Sequence, residues 1–326
     1  MRIVKPRIAV IALLVSLVVA WGAPGAATAD GVAPIIVTAG KVPLDWADTD
    51  EKMVGRLRYR GGLVLRSEDP RFAGLSALLV DADGRRFVAV SDLGHWLRGT
   101  LLYDLHGDLA GVTETTVEAL AGADGRPLIG RKWRDAEALS EAPSGGTVVA
   151  FEHVHRLWLY PNDGGAPVAI PPPSDLSRAP RNEGIEALTL LADGRFLVLT
   201  EGLLTEGGVV GWIGDGRQWS PLTYATGGGF KPTGAATLPG GDVVVLERRY
   251  PPIGVRVRRL AKEAIVPGAI LRGEEIARLE GSLTVDNMEG VAARRGPGGE
   301  TLVYLLSDDN ASPLQRTYLL MFELVE

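Results

Sequence analysis

The sequence of 326 residues contains 40 acidic and 34 basic residues, which gives a formal net charge of −6, and 46% of its residues are hydrophobic. This acidic balance disfavours nucleic acid as a partner, because the phosphate backbone binds to basic surfaces. The sequence has no cysteine, which excludes disulfide bonds and thiol chemistry. A chain of this length can nevertheless bury a large hydrophobic core.

Residues 1–29 have the pattern of a secretory signal peptide. A basic start with Arg2, Lys5 and Arg7 precedes the apolar run 8–20, and small residues at 27–29 provide a cleavage site. The apolar run is too short for a good membrane span, so we expect cleavage near Ala29 and no stable membrane anchor afterwards. The sequence therefore predicts a periplasmic or secreted protein.

One short pattern recurs five times along most of the chain. Residues 30–55 lack clear periodicity and are predicted to form an irregular N-terminal arm. Each repeat in residues 56–326 consists of an apolar strand, a glycine turn and a second apolar strand, which ends at an acid. The turn glycines are 61, 49, 47 and 57 residues apart, at Gly84, Gly145, Gly194, Gly241 and Gly298. A period near 50 residues made of strands alone is typical of a β-propeller with one blade per repeat.

The repeats predict a single all-β domain with five blades. The fifth repeat ends before a fourth strand, whereas residues 56–65 form a strand that belongs to no repeat. A propeller usually closes its ring by lending a strand from one terminus to the last blade, which also removes exposed strand edges. We therefore expect the N-terminal strand to complete the fifth blade. Six blades would require that the long first interval be split.

Each repeat places two sets of residues at one face of the propeller, because its first and second strands form a hairpin. The second strands end in five acids, which are Asp92, Glu152, Glu201, Glu247 and Asp308. The first strands begin with GLSAL, DAEAL, GIEAL, PTGAA and NMEGV, which aligns Ser76, Glu137, Glu186, either Gly234 or Ala235, and Glu289. The start of each first strand should therefore lie beside the acid that ends the second strand.

Two interpretations of these acids remain open. An acid that recurs in every repeat can accept hydrogen bonds from the backbone of the next blade and hold the blades together. Glu137, Glu186 and Glu289 occur in only three repeats, and we predict that they point into the channel as catalytic residues. So many carboxylates in one funnel require a counter-charge, because like charges raise each other's pKa.

A bound cation would provide this counter-charge. Ca²⁺ suits the site because it takes about six to eight oxygen ligands. The predicted metal ligands are Glu137, Glu186, Glu289, Asp92, Asp308 and Asp309. The same loops contain basic residues that are predicted to bind an anionic substrate group, namely Arg134, Arg181, Lys231 and Arg248.

Other motifs add little to this interpretation. His153 and His155 form an H-x-H pair after a second strand, which we interpret as a solvated pair on the rim, with a zinc or iron site as the alternative. The sequence contains no G-x-S-x-G elbow, no H-E-x-x-H motif and no glycine-rich nucleotide motif. A serine hydrolase of the usual type and a nucleotide-binding enzyme are therefore unsupported.

The repeated segments resemble the phytase-like family, also called esterase-like activity of phytase proteins. The resemblance covers roughly residues 56–326 and is based on FAGLSALLVDADGRRFVAVSDLG, RDAEALS, VVAFEHVHRLW, RNEGIEALTLLADGRFLVLTEG, GFKPTGAATLPGGDVVVLERRY and DNMEGVAA…YLLSDDN. It implies an exported bacterial β-propeller and the hydrolysis of phosphoesters or other esters. β-Propeller phytases use calcium ions in an acidic channel mouth to bind phosphate and activate water, and the acids of this sequence suit that arrangement.

We therefore predict a hydrolase that uses a divalent cation, expected to be Ca²⁺, and acts on a small anionic ester. Two alternatives remain open. In the first, the propeller binds a ligand or a protein partner without catalysis, and its acids are structural. In the second, the propeller is a calcium-dependent lactonase.

Overall fold

The computed structural model describes residues 31–326, so the predicted signal peptide lies outside the described residues. Its strands form five sheets of four to six strands each. The first strand of each sheet contacts the first strands of the sheets before and after it, and the fifth contacts the first. The protein is therefore a five-bladed β-propeller, as the repeats predict. The long first interval contains extended outer strands and the loop 120–135 rather than a sixth blade.

The first three blades are described from the channel outwards. Blade 1 contains Leu75–Val80, Arg86–Ser91, His95–Tyr103, Leu109–Ala119 and Ala33–Pro34. Blade 2 contains Ala136–Glu141, Thr147–Phe151, Arg156–Tyr160 and Val168–Ile170. Blade 3 contains Ile185–Leu190, Phe196–Thr205, Gly208–Gly214, Trp219–Tyr224 and Ile270–Leu271. The last of these strands pairs in parallel with Trp219–Tyr224.

The last two blades follow the same plan. Blade 4 contains Lys231–Thr237, Val243–Arg249, Gly254–Leu260 and Glu274–Leu279. Blade 5 contains Asn287–Arg295, Thr301–Asp308, Thr317–Leu324, Leu57–Arg66 and Thr38–Lys41, and Met53–Val54 pairs with the fourth of these strands. The helices of the described part of the chain are short: an α-helix at Arg131–Arg134 and 3-10 turns at Ser174–Arg178 and Lys262–Ala264. None of the helices within residues 31–326 has the length and apolar character to cross a membrane.

Both ends of the chain build blade 5. Leu57–Arg66 pairs antiparallel with Thr317–Leu324, which places the N-terminal strand at the position predicted for it. The preceding segment is more ordered than its sequence indicates. Thr38–Lys41 extends blade 5, and Ala33–Pro34 extends blade 1, so the predicted arm crosses the junction between these two blades. Strands of two to four residues are too short to show periodicity, which explains why they were not predicted.

Apolar side chains fill the spaces between neighbouring blades. One such layer joins Val244 and Leu246 of blade 4 to Val303, Leu305 and Phe322 of blade 5. The second strands are buried on both faces, and Val243–Leu246 are all inaccessible to solvent. A strand that is covered on both faces needs no polar side. This explains why the second strands read as continuous apolar runs in the sequence.

The ring closure can be tested through its packing. Phe322 is fully buried and contacts Tyr59 edge-on, with ring centroids 5.7 Å apart. Phe322→Ala is expected to lower the free energy of unfolding by about 3–5 kcal/mol, because it removes a large side chain and leaves a cavity. Val168→Ala, in an exposed outer strand, is the matched control and should change stability by less than about 0.5 kcal/mol. Urea unfolding measures both, and similar losses in the two variants would contradict this packing.

Candidate functional site

Every first strand contains a β-bulge near its start, at the end of the channel where the second strands end. We call this end the channel mouth. In each blade the pairing between the first two strands skips one residue, which leaves that residue without a partner opposite it. The skipped residues form the bulge ring, which consists of Ser76, Glu137, Glu186, Thr233 and Glu289. A bulge re-aims a side chain, and this one recurs at the same place in all five blades.

The observed register corrects the sequence alignment in blade 4. Thr233, rather than Gly234, occupies the position of the three glutamates. Its hydroxyl is buried and donates a hydrogen bond of 2.9 Å to the carbonyl oxygen of Met288 in blade 5. Ser76 is also buried, with its hydroxyl 3.3 Å from the carbonyl oxygen of Gly74. The bulge ring therefore has three carboxyl groups and two hydroxyl groups.

The same shift of one residue changes the ring of strand-end acids. The residue that precedes the bulge pairs with Ser91, Phe151, Thr200, Glu247 and Ser307 in the five blades. The next residues form the strand-end ring, which consists of Asp92, Glu152, Glu201, Arg248 and Asp308. Blade 4 thus contributes an arginine where the other blades contribute an acid.

Glu247 consequently has a different environment from the acids with which the sequence grouped it. A shift of one residue along a strand moves a side chain to the opposite face of the sheet. Glu247 is fully buried and forms ion pairs with Arg256 and Arg258 of the same blade. It is therefore a structural acid and does not belong to the channel mouth.

Carboxylates are most concentrated on the blade 2 side of the mouth. Oxygen atoms of Asp135, Glu137 and Glu152 all lie within 4.8 Å of one another. Glu137 also lies close enough to Asp135, and Glu186 of blade 3 close enough to Glu152, for the carboxyl groups of each pair to interact. Like charges this close raise each other's pKa, so full ionisation of the cluster is unfavourable without a counter-charge.

The pKa values of the acids at the mouth reflect this crowding. Burial, together with the charges of nearby carboxylates, raises the pKa of both Glu137 and Glu186 well above the usual range. Burial also raises the pKa of Asp92 to about 6 and that of Asp308 to about 9. Burial raises the pKa of Glu289 to about 7, although Arg248 and a hydrogen bond from Asn287 oppose the shift. The folded protein therefore favours neutral carboxyl groups or a bound cation at the mouth.

The opposite side of the mouth supplies its own counter-charges. Lys231 lies 2.7 Å from Glu183 and 3.8 Å from Glu201. Arg248 lies 3.6 Å from Glu201 and 3.7 Å from Glu289. Charges of alternating sign thus run across blades 3, 4 and 5. The mouth is polarised, with carboxyl groups crowded together on one side and basic groups among acids on the other.

Blade 5 holds its acids with hydrogen bonds. The Asn287 amide donates to Glu289 at 2.8 Å and to Asp308 at 3.4 Å. Asp309, which the sequence placed among the metal ligands, accepts bonds from the Gly74 backbone and the Thr317 hydroxyl at 3.2 and 3.1 Å. These hydrogen bonds attach the loop after the second strand of blade 5 to blade 1. Asp309 therefore has a structural role.

The remaining predicted residues differ in how closely they approach the mouth. Arg134 is half-buried, and its charge lowers the pKa of both Asp92 and Asp135, against the effect of burial. The side chain of Arg181 is exposed. His153 is not a solvated rim residue, because its Nε2 atom lies 3.1 Å from Asp135 and its side chain is only 16% exposed. His155 instead approaches the carbonyl oxygen of Pro180 at 3.1 Å.

Below the two rings the channel is nearly closed. Side chains and backbone of the five first strands, including Ala77, Ala138 and Gly234, leave a void of about 10 Å³ beside Glu186 and Glu289. A wider cavity of about 110 Å³ follows on the other side and is lined by Leu139, Leu188 and Thr237. A void of 10 Å³ hardly holds one water molecule. A ligand of the acids must therefore approach from the mouth.

The donor set fits a hard cation. Calcium binds oxygen atoms at about 2.3–2.6 Å, so two of its ligand oxygens lie no more than about 5 Å apart. The oxygens of Asp135, Glu137 and Glu152 satisfy this limit. The sequence identified Glu137 as a ligand but assigned no metal role to Asp135 or Glu152. The amide of Glu152 donates a hydrogen bond of 2.8 Å to the carbonyl oxygen of Asp135, so the two residues are neighbours in the folded hairpin, a contact that the sequence pattern does not show.

Fold and site together define a β-propeller with an acidic, polarised channel mouth. The chain matches the family described as "Phytase-like: Esterase-like activity of phytase" over residues 70–311. It therefore belongs to the phytase-like family, as its motifs indicate.

Comparison with individual known proteins gives little further information. No curated protein matches the chain. A gluconolactonase from Xanthomonas campestris shares 13% identity and a TM-score of 0.45, with 89% of this chain and 100% of that chain covered. Virginiamycin B lyase from Staphylococcus aureus shares 9% identity and a TM-score of 0.44, with 89% and 100% covered. Similarity at this level carries no information about the reaction.

Proposed function

We propose that the protein hydrolyses phosphate or other esters of small anionic substrates with the help of a divalent cation at the channel mouth. The proposal depends above all on one observation: three carboxylate oxygens lie within 4.8 Å of one another. On the other side of the mouth, basic groups lie among acids. Membership of a family described by esterase-like activity supports the same conclusion. The proposed cation ligands are Asp135, Glu137 and Glu152, and Ca²⁺ is the proposed ion.

Residues on the two sides of the mouth would have different roles in the reaction. A bound cation would lower the pKa of a water molecule and polarise the ester. Arg248 and Lys231 would bind the anionic group of the substrate, because both are partly exposed and face the mouth. Glu289 would accept a proton, since burial raises its pKa to about 7 and Asn287 fixes its position.

The cellular setting is part of the proposal. The basic and apolar start of the sequence supports export to the periplasm or the medium. A compartment with a high concentration of free calcium would suit a site of three carboxylates. In such a compartment the site would need only the calcium affinity of extracellular calcium modules. The proposed partner is a small ester rather than nucleic acid.

The cation dependence gives the first test. Purified protein is assayed on p-nitrophenyl phosphate, on a simple carboxylate ester and on a lactone, before and after treatment with excess chelator. We expect hydrolysis of at least one substrate, a loss of at least about 100-fold with chelator, and recovery when Ca²⁺ is restored. Full activity in excess chelator would contradict the proposal. The substrate that is hydrolysed shows whether the protein is an esterase or a lactonase.

A non-catalytic propeller is the second candidate, and the structural roles of Glu247 and Asp309 favour it. Such a protein would bind Ca²⁺ and rise in melting temperature without turning over any ester. Glu137→Gln, Glu186→Gln and Glu289→Gln separate the two candidates. A retained fold with lost turnover supports the enzyme. Lower stability in the variants, with no turnover even in the wild type, supports the binding protein.

A further inference from the structure

Large apolar side chains are exposed on loops that surround the channel mouth. The exposed fraction is 82% for Ile129, 76% for Leu204, 74% for Tyr250 and 88% for Leu314, and Trp133 is also exposed. Ile129 and Trp133 lie in the loop between blades 1 and 2, and the others lie at or beyond the second strands of blades 3, 4 and 5. All these segments leave the same end of the propeller. We call these five residues the apolar rim.

The apolar rim does not have the form of a protein-protein interface. Stable protein interfaces have a continuous apolar core that excludes water. Here the apolar side chains lie on three loops and at the tip of one hairpin in blade 3, around a mouth that contains charged groups. A deformable surface can contact all the separated apolar side chains at the same time. A rigid partner that contacts them would also have to cover the charged mouth. Tryptophan and tyrosine, which prefer the boundary between water and lipid, are two of the five residues.

Exposed basic groups accompany the apolar rim. Arg126, Arg131 and Lys132 are exposed in the loop that also carries Ile129 and Trp133. None of the three has an acidic partner within 4.0 Å among residues 31–326. Among the described residues, the guanidinium group of Arg316, two residues after Leu314, bonds only to carbonyl oxygens, those of Pro313 and Gln315. Positive charges beside apolar tips complement the phosphate groups of lipids, although the whole chain is acidic.

We propose that the apolar rim docks the propeller reversibly onto the surface of a phospholipid bilayer, with the channel mouth facing the headgroups. The apolar tips would enter the boundary between headgroups and acyl chains, while Arg126, Arg131 and Lys132 meet phosphates. Docking of this kind does not depend on hydrolysis. If the proposed function also holds, the protein would act on esters presented at the membrane surface.

Vesicle sedimentation tests the docking directly. The mature protein is mixed with vesicles of phosphatidylcholine and phosphatidylglycerol in equal amounts, and its bound fraction is measured at low and high salt. We expect binding that weakens with salt, because exposed charges are screened. Leu204→Ser combined with Leu314→Ser should lower the partition coefficient by about 10-fold or more, since two apolar side chains no longer leave water.

The opposite face of the propeller offers a matched control. Leu105 is 102% exposed in the turn between the outer strands of blade 1, so Leu105→Ser removes an equally exposed leucine far from the mouth. This variant should bind vesicles as the wild type does. Arg131→Glu combined with Lys132→Glu should reduce binding to the mixed vesicles more than binding to phosphatidylcholine alone. Circular dichroism confirms that each variant is folded.

Three outcomes would overturn the proposal. The first is a wild type that does not sediment with vesicles, and the second is an equal loss of binding in Leu105→Ser. The third is a dimer in solution that Leu314→Ser converts to a monomer, which would assign the apolar rim to a second copy of the chain. Hydrolysis of a water-soluble ester is measured in parallel, so that failure of docking and failure of the proposed function remain distinguishable.

Discussion

The metal-free protein is expected to lose stability steadily as the pH rises from about 4 to about 9, whereas most proteins are most stable between about pH 5 and 8. The cause is the acids of the channel mouth, whose pKa values are raised to about 6 in Asp92, about 7 in Glu289 and about 9 in Asp308, with burial as the largest cause. A group with a raised pKa in the folded state stabilises the protein at low pH. This contribution disappears as the pH passes through the folded-state value.

The size of the effect follows from the shifts. Folding raises the pKa of Asp92 from 3.8 to about 6. The free energy of unfolding is therefore lower by about 3 kcal/mol at neutral pH than at acidic pH on account of this group. Glu137 and Glu186 act in the same direction, because their pKa values are raised well above the usual range. Below about pH 4 the opposite type of group dominates, such as Asp69, whose pKa a hydrogen bond from Arg71 lowers to about 2. Maximum stability of the metal-free protein is therefore expected near pH 4–5.

Thermal unfolding across a pH series, with chelator and with Ca²⁺, measures this dependence. Calcium should raise the melting temperature most at neutral and alkaline pH, where the carboxylates are ionised. A cation present at about 100 times its dissociation constant adds about 2.7 kcal/mol to the free energy of unfolding. Stability that rises from pH 5 to 8 in chelator would contradict the crowding of carboxylates at the mouth.

Replacement of Glu137 by glutamine is expected to abolish most of the hydrolysis while it stabilises the metal-free fold. The substitution removes one of the three converging oxygens as a charged ligand, so the cation should bind weakly. We expect kcat/KM to fall by at least about 100-fold. At mildly alkaline pH the free energy of unfolding without metal should rise by about 1–3 kcal/mol, because a repelling charge is removed.

The same strand provides the control for this variant. Glu141 lies at the far end of Ala136–Glu141 and is exposed, so Glu141→Gln makes the same chemical change away from the mouth. It should leave activity, calcium binding and stability close to those of the wild type. Steady-state kinetics, calcium titration and urea unfolding distinguish the two variants. If Glu137→Gln destabilises the metal-free protein and keeps its activity, Glu137 is a structural residue.

The fold could be predicted from the sequence because each blade repeats the same physical plan. Second strands covered on both faces appear as apolar runs, and their turns appear as regularly spaced glycines. The unpaired strand near the start of the chain indicated how the ring closes. Short strands such as Thr38–Lys41 could not be predicted, because four residues show no period and their pairing with Leu57–Arg66 is set by the completed blade.

The site was only partly predictable, and blade 4 shows why. The alignment used the identity of the acids and therefore grouped Glu247 with the others. In the three middle blades the ring residue follows the turn glycine by seven positions, from Gly145 to Glu152, from Gly194 to Glu201 and from Gly241 to Arg248. Counting from the turn would have grouped Arg248 with Glu152 and Glu201, but the count is eight in blade 1 and ten in blade 5, so it does not define the whole ring. The convergence of Asp135 with Glu152 depends on the bulge at Glu137, and a sequence pattern does not reveal a bulge.

Closure by both termini also affects how the protein reaches its folded state. Leu57–Arg66 can pair with Thr317–Leu324 only after residues 317–324 have been synthesised. Contacts between distant parts of a sequence form slowly, because a long loop must close before the contact contributes any stability. The two rings at the mouth take one residue from each blade, so the site is complete only after this last step. An early stop or a proteolytic cut near either end would leave a partly folded chain with an open sheet edge, a form prone to aggregation and without an assembled site.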